Sequence, residues 1–289
     1  RKMAGYSLGG ADLLRRAMGK KIQEAMDAER PKFLAGSAEN GVDKAKAQEV
    51  WDLLDKFANY GFNKSHAAAY GVVSYQTAWL KANYPVEFMA AVMNCDLHLT
   101  DKLAVYKREV DRLQIETISP DINRSMATFA VEDGRILYGL GALKNVGVEA
   151  MKLIVAAREE GGVFKNVFDF AKRVDLKRVG KRPLEMLARA GAFDGLELNR
   201  QRAYESIDTL VGFSAASVEA ENSAQVSLFG EAEGGLPNPR LPAPDDWLPT
   251  ERLAEEHAAV GFYLSGHPLD DYAGPLKRKR VQTYSEIVA

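Results

Sequence analysis

The chain has 289 residues, 46% hydrophobic and 27% charged, which is the composition of an ordinary folded protein with room for two or three folding units at about 100–200 residues each. Its 38 Lys+Arg against 40 Asp+Glu leave a net charge of -2, which excludes a globally basic nucleic-acid binder but not a locally basic face. A single cysteine, Cys95, excludes an internal disulfide, and beside Val92 and Met93 it reads as a small core residue. No apolar run reaches membrane-span length and no signal-peptide core opens the chain, so no membrane contact and a cytoplasmic location are expected. The start at Arg1 rather than Met suggests a piece excised from a longer protein.

In chain order, residues 1–113 read as a series of helices. Leu13, Leu14, Ala17 and Met18 form one apolar stripe, with Arg15, Arg16 and Lys20 pointing away from it. Ile22, Met26 and Ala28 begin a second helix that Gly36 should stop, and Val50, Leu53, Leu54, Phe57 and Ala58 mark a third. A fourth, from about Ala67 to Asn83, is apolar on nearly every side and is expected to be buried among others. Pro85 precedes a fifth, and Thr100 should cap a sixth. Residues 114–138 change texture. Asp133-Gly134 between Phe129-Ala130-Val131 and Ile136-Leu137-Tyr138 predicts a tight hairpin in a small β element. Residues 139–214 are helical again with glycine punctuation. Residues 215–249 turn to Ser, Gly, Pro and acid and read as a flexible loop. A last helix is expected from Thr250 to about Leu264, after which the chain closes with Lys277, Arg278, Lys279 and Arg280. The fold class expected is mainly α, with a small β-hairpin element between two helical regions.

Four segments could carry chemistry. Gly61-Phe62-Asn63-Lys64-Ser65-His66 precedes the fourth helix, with Ser65 as N-cap; free N–H groups and the Lys64 charge there would welcome phosphate, although composition alone favours a plain capped helix start. Arg15-Arg16, followed by Lys20-Lys21, suits a polyanion or else forms a solvated helix face. Around Lys144-Asn145-Val146-Gly147 a short apolar helix turns into a second one. Gly147 lets a ligand approach the backbone, and new helix N–H groups face outward. Leu176 to Leu187 looks like a second copy, with Lys177, Arg178, Lys181 and Arg182 around Gly180. Packed αα-hairpins that bind nothing are the alternative, but two copies with basic turns favour contact with the DNA backbone. Gln225-Val226-Ser227-Leu228-Phe229 places Leu228 and Phe229 in a polar stretch without a local core; burial by a partner would yield roughly 1.5–3 kcal/mol each before ordering costs.

The chain has no P-loop, no Cys/His metal spacing, no G-x-S-x-G and no Asp-x-Asp pair, and its four histidines are far apart in sequence. No residue is therefore nominated as catalytic or metal-ligating.

The run from Ala4 to Lys21, with Gly9-Gly10-Ala11-Asp12-Leu13-Leu14-Arg15-Arg16, resembles the fingers region of the bacterial DNA polymerase III alpha subunit, the replicative polymerase of the C family. Phe57 to His66 with Ala69-Tyr70, Tyr138 to Lys144, Ser265-Gly266-His267-Pro268-Leu269 and the Gln-x-Ser-Leu-Phe peptide are similar to the same family in the same order. Asn145 stands where many family hairpins carry a glycine. The resemblance implies fingers over 1–113, a helix-hairpin-helix DNA-binding domain over 139–214, a loop with a peptide for the sliding clamp over 215–249, and over 250–289 the lead-in to an OB-fold that would follow. It implies that Arg15, Arg16, Lys20, Asn63, Lys64, Ser65 and His66 face the incoming dNTP and template. Lys144, Asn145, Gly147, Lys177, Arg178, Gly180, Lys181 and Arg182 would hold the backbone of primer-template DNA, and Gln225 to Phe229 would dock on the clamp. Catalytic acids and Mg2+ would belong to a palm outside this chain, so the chain alone should be inactive, and other replicase subunits are implied partners. An error-prone paralogue and a non-catalytic DNA-binding clamp adaptor are the alternatives.

Overall fold

The computed structural model describes residues 1–20, 23–60, 64–222, 236–282 and 287. It forms two compact units, Arg1–Ala78 and Trp79–Ala289. The described residues are mainly helical with one small sheet, in agreement with the periodicities of the sequence.

In the first unit α1 (Leu8–Lys20), α2 (Gln23–Glu39) and α3 (Lys44–Tyr60) pack on one another. Leu14 and Ala17 from α1, Met26 and Phe33 from α2 and Trp51 from α3 form the core, and the Phe33 and Trp51 rings lie 5.3 Å apart. Leu13 was expected on this stripe but is 66% exposed, because its neighbour Leu14 takes the inward position. Gly36 does not stop the second helix. It lies within α2, where an added Cβ would stand 2.3 Å from the Ala4 carbonyl oxygen, so the missing side chain admits the N-terminal segment to the helix surface.

The fourth helix, α4 (Lys64–Asn83), begins in the first unit and ends in the second. Burial was expected, yet Tyr70 is 60% and Tyr75 is 69% exposed, and Val72, Val73, Trp79 and Leu80 are exposed as well. Among the described residues the apolar stripes of α1 to α3 face each other. Ser65 is also not an N-cap, since it and Lys64 before it both lie within α4.

The second unit opens with α5 (Pro85–Cys95), whose first residue is the proline that the first turn tolerates. Met89, Ala90 and Met93 of α5 are buried, whereas Cys95 is exposed. Two positions beyond Met93 is about 200° around a helix, so Cys95 faces away from the core it was expected to join. In α6 (Thr100–Arg112) the N-cap is Leu99, without a side-chain cap bond, and Thr100 is the first helical residue rather than the cap. Leu103 and Val110 are fully buried, each worth about 1.5–3 kcal/mol relative to exposure.

The sheet has the order β1-β3-β2, with β1 (Thr117–Ile118) parallel to β3 (Arg135–Leu137) and β2 (Ala130–Glu132) antiparallel to it. Asp133 and Gly134 have φ of 49° and 72°, the pair of left-handed residues that a two-residue hairpin turn requires. Asn94 extends the sheet sideways: its Oδ1 accepts from Phe129 N–H at 2.8 Å and its Nδ2 donates to Phe129 O at 2.9 Å.

After a 3-10 turn (Leu140–Ala142) come α7 (Val148–Gly161), α8 (Val167–Arg173), α9 (Leu176–Val179), α10 (Lys181–Arg189), α11 (Arg200–Glu205), α12 (Ile207–Asn222), α13 (Pro249–Val260) and α14 (Asp270–Arg278). Tyr138, Leu140, Met151, Ile154, Phe170, Leu176 and Leu184 make a fully buried core. The helix expected to end near Ala215 continues to Asn222, because Ser214 and Ser217 on it are buried. The proline-rich run after residue 235 has no helix or strand up to Leu248 but is fastened rather than loose. Leu241 packs on the core, Pro244 O accepts from Asn199 Nδ2 at 2.9 Å, and Asp246 pairs with Arg252. Among the described residues no helix is long and apolar enough to cross a membrane.

Candidate nucleic-acid interface

The first hairpin joins the 3-10 turn to α7 through Leu143 to Gly147. Its register is held from beneath: Leu143 and Val146 are buried, and Lys144 N–H donates to Ala259 O at 2.8 Å, tying the turn to the end of α13. Asn145 has φ of 60°, a left-handed conformation that asparagine tolerates better than other residues with a side chain. Gly147 differs in kind. Its φ is -89° and a Cβ added there would meet nothing within 4 Å, so nothing within the described fold calls for glycine. The N–H groups of Gly147, Val148, Glu149 and Ala150 have no backbone acceptor among the described residues, and no side chain caps the helix. Open space, free donors and the positive end of a 14-residue helix therefore coincide.

A surface pocket of about 470 Å³ lies over this turn, lined by Lys144, Asn145, Val146 and Gly147 and by His98 and Thr100. The last two reach the hairpin from the start of α6, more than forty residues away in sequence, and no local pattern announced them.

The second hairpin joins α9 to α10 through Gly180, with φ of 93°. Ser214, buried, accepts from Leu176 N–H at 3.1 Å and donates to Val174 O at 2.8 Å, which fixes the hairpin to α12. Asp175 caps α9 through Arg178 N–H. The basic residues around the turn are exposed but not equivalent. Lys181 meets Asp208 at 2.7 Å and Glu185 at 3.9 Å, and the Asp208 hydrogen bond holds its ammonium above the ordinary lysine value. Lys177, Arg178 and Arg182 have no ion-pair partner among the described residues. Helix α7 packs on α9, so both hairpins belong to one framework.

The basic residues of the first unit are arranged otherwise. Arg15 and Arg16 both donate to Asp12, at 2.8 Å each, while their side chains stay 74% and 65% exposed. The Arg15 hydrogen bond is the largest cause of an Asp12 carboxyl held below the usual range. Such exposed pairs exchange easily for another anion. Lys20 is exposed at the end of α1. Lys64 opens α4, and Ser65 and His66 are exposed on its first turn, with the His66 ring 4.6 Å from that of Tyr70. Lys21, Asn63 and the peptide Gln225, Val226, Ser227, Leu228 and Phe229 lie outside the described residues. Among the described residues no group of three or more His, Cys, Asp or Glu could hold a metal ion.

Comparison with known proteins resolves what these features have in common. Residues 1–41 match the model of the bacterial DNA polymerase III alpha subunit finger domain, and residues 114–203 match the helix-hairpin-helix motif, which takes in both hairpins. The chain is 51% identical over 287 residues to DNA polymerase III subunit alpha of Caulobacter vibrioides, covering 99% of this chain and 25% of that protein. The subunit of Pseudomonas aeruginosa is 43% identical over 305 residues, covering 99% and 26%, and that of Thermus aquaticus 47% identical over 273 residues, covering 94% and 22%. The chain belongs to the DNA polymerase III alpha-subunit family. It spans about a quarter of the length of these relatives. Within the family frame, the finger match covers Asp12, Arg15, Arg16 and Lys20, and the hairpin match covers the open turn at Gly147 and the unpaired cations around Gly180.

Proposed function

We propose that this chain is the part of a replicative DNA polymerase that holds primer-template DNA, helps to seat the incoming dNTP and tethers the enzyme to its sliding clamp. The observation that carries the reading is the turn at Gly147, where bare donors face open space within a chain similar to polymerase alpha subunits along 99% of its length. A phosphodiester oxygen fits such donors without any base being read, so the grip is independent of sequence and weakens with salt.

In this reading Lys144, Asn145 and Gly147 hold one stretch of backbone, and Lys177, Arg178, Gly180, Lys181 and Arg182 hold another. Arg15, Arg16, Lys20, Asn63, Lys64, Ser65 and His66 serve the nucleotide and template side, where cations and hydrogen-bond donors orient a triphosphate and offset charge on its leaving group. Gln225 to Phe229 dock on the clamp. That tether raises the local concentration of polymerase at the primer end, so weak contacts become processive together. The reaction is DNA-directed DNA synthesis by the longer protein in the cytoplasm, with other replicase subunits as partners. The Mg2+ that such chemistry uses belongs in this reading to a palm region.

Two measurements test the reading. Fluorescence anisotropy of the chain with duplexes of unrelated sequence should give equal affinities that fall linearly with salt on logarithmic axes; a strong sequence preference or no binding would reject it. Leu228→Ala combined with Phe229→Ala should abolish calorimetric binding to the clamp ring while leaving DNA affinity nearly unchanged. Undiminished clamp binding would remove the tether from the proposal.

A further inference from the structure

Several of this protein's cations are held in ion pairs. Arg15 and Arg16 meet Asp12, Lys102 meets Asp96, Arg112 meets Glu109, Lys152 meets Glu149 and Arg200 meets Asp194. Among the described residues the longest run of consecutive cations without an ion-pair partner lies at the end of α14. There Lys277, Arg278, Lys279 and Arg280 follow one another, all four are exposed, and none has an ion-pair partner among the described residues.

The backbone explains how these four charges are displayed. Lys279 N–H donates to Pro275 O at 3.1 Å, Arg280 N–H to Lys277 O at 3.0 Å and Val281 N–H to Leu276 O at 3.1 Å. The last two bonds are the paired closure of a Schellman motif, in which the residue just past the helix is left-handed and is usually glycine. Here that residue is Arg280, with φ of 54°. Cations in the last helical turn are accounted for by the helix dipole, which covers Lys277 and Arg278. The dipole does not account for an arginine at a position whose backbone favours glycine. The chain keeps a positive side chain there against its local preference, on a helix end already carrying three others.

We propose that Lys277, Arg278, Lys279 and Arg280 form a second nucleic-acid contact, separate from the hairpins, that grips the phosphodiester backbone. This rests on the reading of the chain as a DNA-holding segment, and extends it to a surface the hairpin match does not include. The chemistry asks for a polyanion with closely spaced charges, because four cations within one turn repel each other unless several negative groups lie against them together. Tyr272, 59% exposed on the same helix, offers a ring on which an unpaired base can stack.

The test compares three variants of the whole 289-residue chain by anisotropy over a salt series, on duplex and on single-stranded DNA of equal length. Changing Lys277, Arg278 and Lys279 to Gln with Arg280→Gly should flatten the logarithmic salt slope by up to roughly 3.6 on duplex or roughly 2.8 on single strands, and the larger loss identifies which form the site holds. Arg280→Gly alone is the sharper case. It should leave thermal stability unchanged or raised, because glycine suits the left-handed position, and still flatten the slope by about 0.7–0.9. Unchanged DNA binding by the stable Arg280→Gly and quadruple variants overturns the inference. The third variant, Lys177→Gln with Arg178→Gln and Arg182→Gln, separates the two claims. Loss of binding in this variant alone leaves the hairpin reading standing and removes the helix-end site, and indifference in all three removes both.

Discussion

The two hairpins of the second unit solve one problem with different materials. The first presents backbone: among the described residues no atom fills the space beside Gly147, and no acceptor meets the four N–H groups at the start of α7. The second presents side chains: Lys177, Arg178 and Arg182 stand exposed and without an ion-pair partner among the described residues around Gly180, whose own conformation is needed for the turn. Glycine therefore does two jobs in two similar motifs. At position 180 it satisfies the fold, and at position 147 it leaves room for something outside it. Under the proposed function the contrast would also separate two kinds of grip, one short-ranged and geometric, the other long-ranged and screened by salt.

The largest effect expected from breaking this contrast comes from the charged hairpin. Changing Lys177, Arg178 and Arg182 to Gln should lower the salt slope of duplex binding by roughly 2.7, whereas Lys181→Gln should lower it by less than any one of these, because Asp208 competes with the DNA for that ammonium. Anisotropy over a salt series measures both, and an equal effect of Lys181→Gln would mean that the pairing breaks on DNA.

Next come the glycines. Gly147→Val should cost on the order of tenfold in duplex affinity, about 1.4 kcal/mol, with only a small fall in thermal midpoint, since its side chain would point into open space and only the N-cap preference of α7 is lost. Gly180→Ala should do the reverse, lowering stability by about 1–2 kcal/mol through its left-handed backbone. A thermal melt of each variant beside its binding curve would reveal whether the two roles are in fact exchanged.

The smallest effect concerns a cation cluster that is already satisfied. Arg112 and Lys81 both hydrogen-bond Glu109, with the Arg112 bond the larger cause, and bring its carboxyl down to about 2. A depressed carboxylate stabilises the fold above its ordinary value of 4.5, and that contribution is lost as the pH falls toward about 2. A carbon-13 titration of Glu109 with a midpoint near the ordinary value would show that the pair does not persist in solution.

Much of the architecture was legible from local pattern. Asp133-Gly134 announced its hairpin because only a few residue types accept two successive left-handed conformations. The basic turn around Gly180 was visible because charge and glycine are both local signals. What was illegible depended on distant partners. Asn94, Asn123 and Ser214 look like ordinary polar residues, yet Asn94 pairs with Phe129, Asn123 with Phe164 and Ser214 with Val174 and Leu176. Gly36 read as a helix stop because its reason, the Ala4 carbonyl, lies 32 residues earlier in the chain. The exposure of α4 was misread for a related cause: apolar periodicity states that a helix can be buried, not that something stands ready to bury it.

By itself the sequence determined the helical periods, the tight turn, the positions of the basic clusters and the order of motifs that the alpha-subunit family shares, because each depends on residues within a turn or two of one another. Only the tertiary structure decided which cations are already neutralised, which glycine faces open space, and that His98 and Thr100 share a pocket with the first hairpin. Those properties belong to pairs of atoms brought together from far along the chain, and the distance between such atoms is set by packing rather than by any one segment.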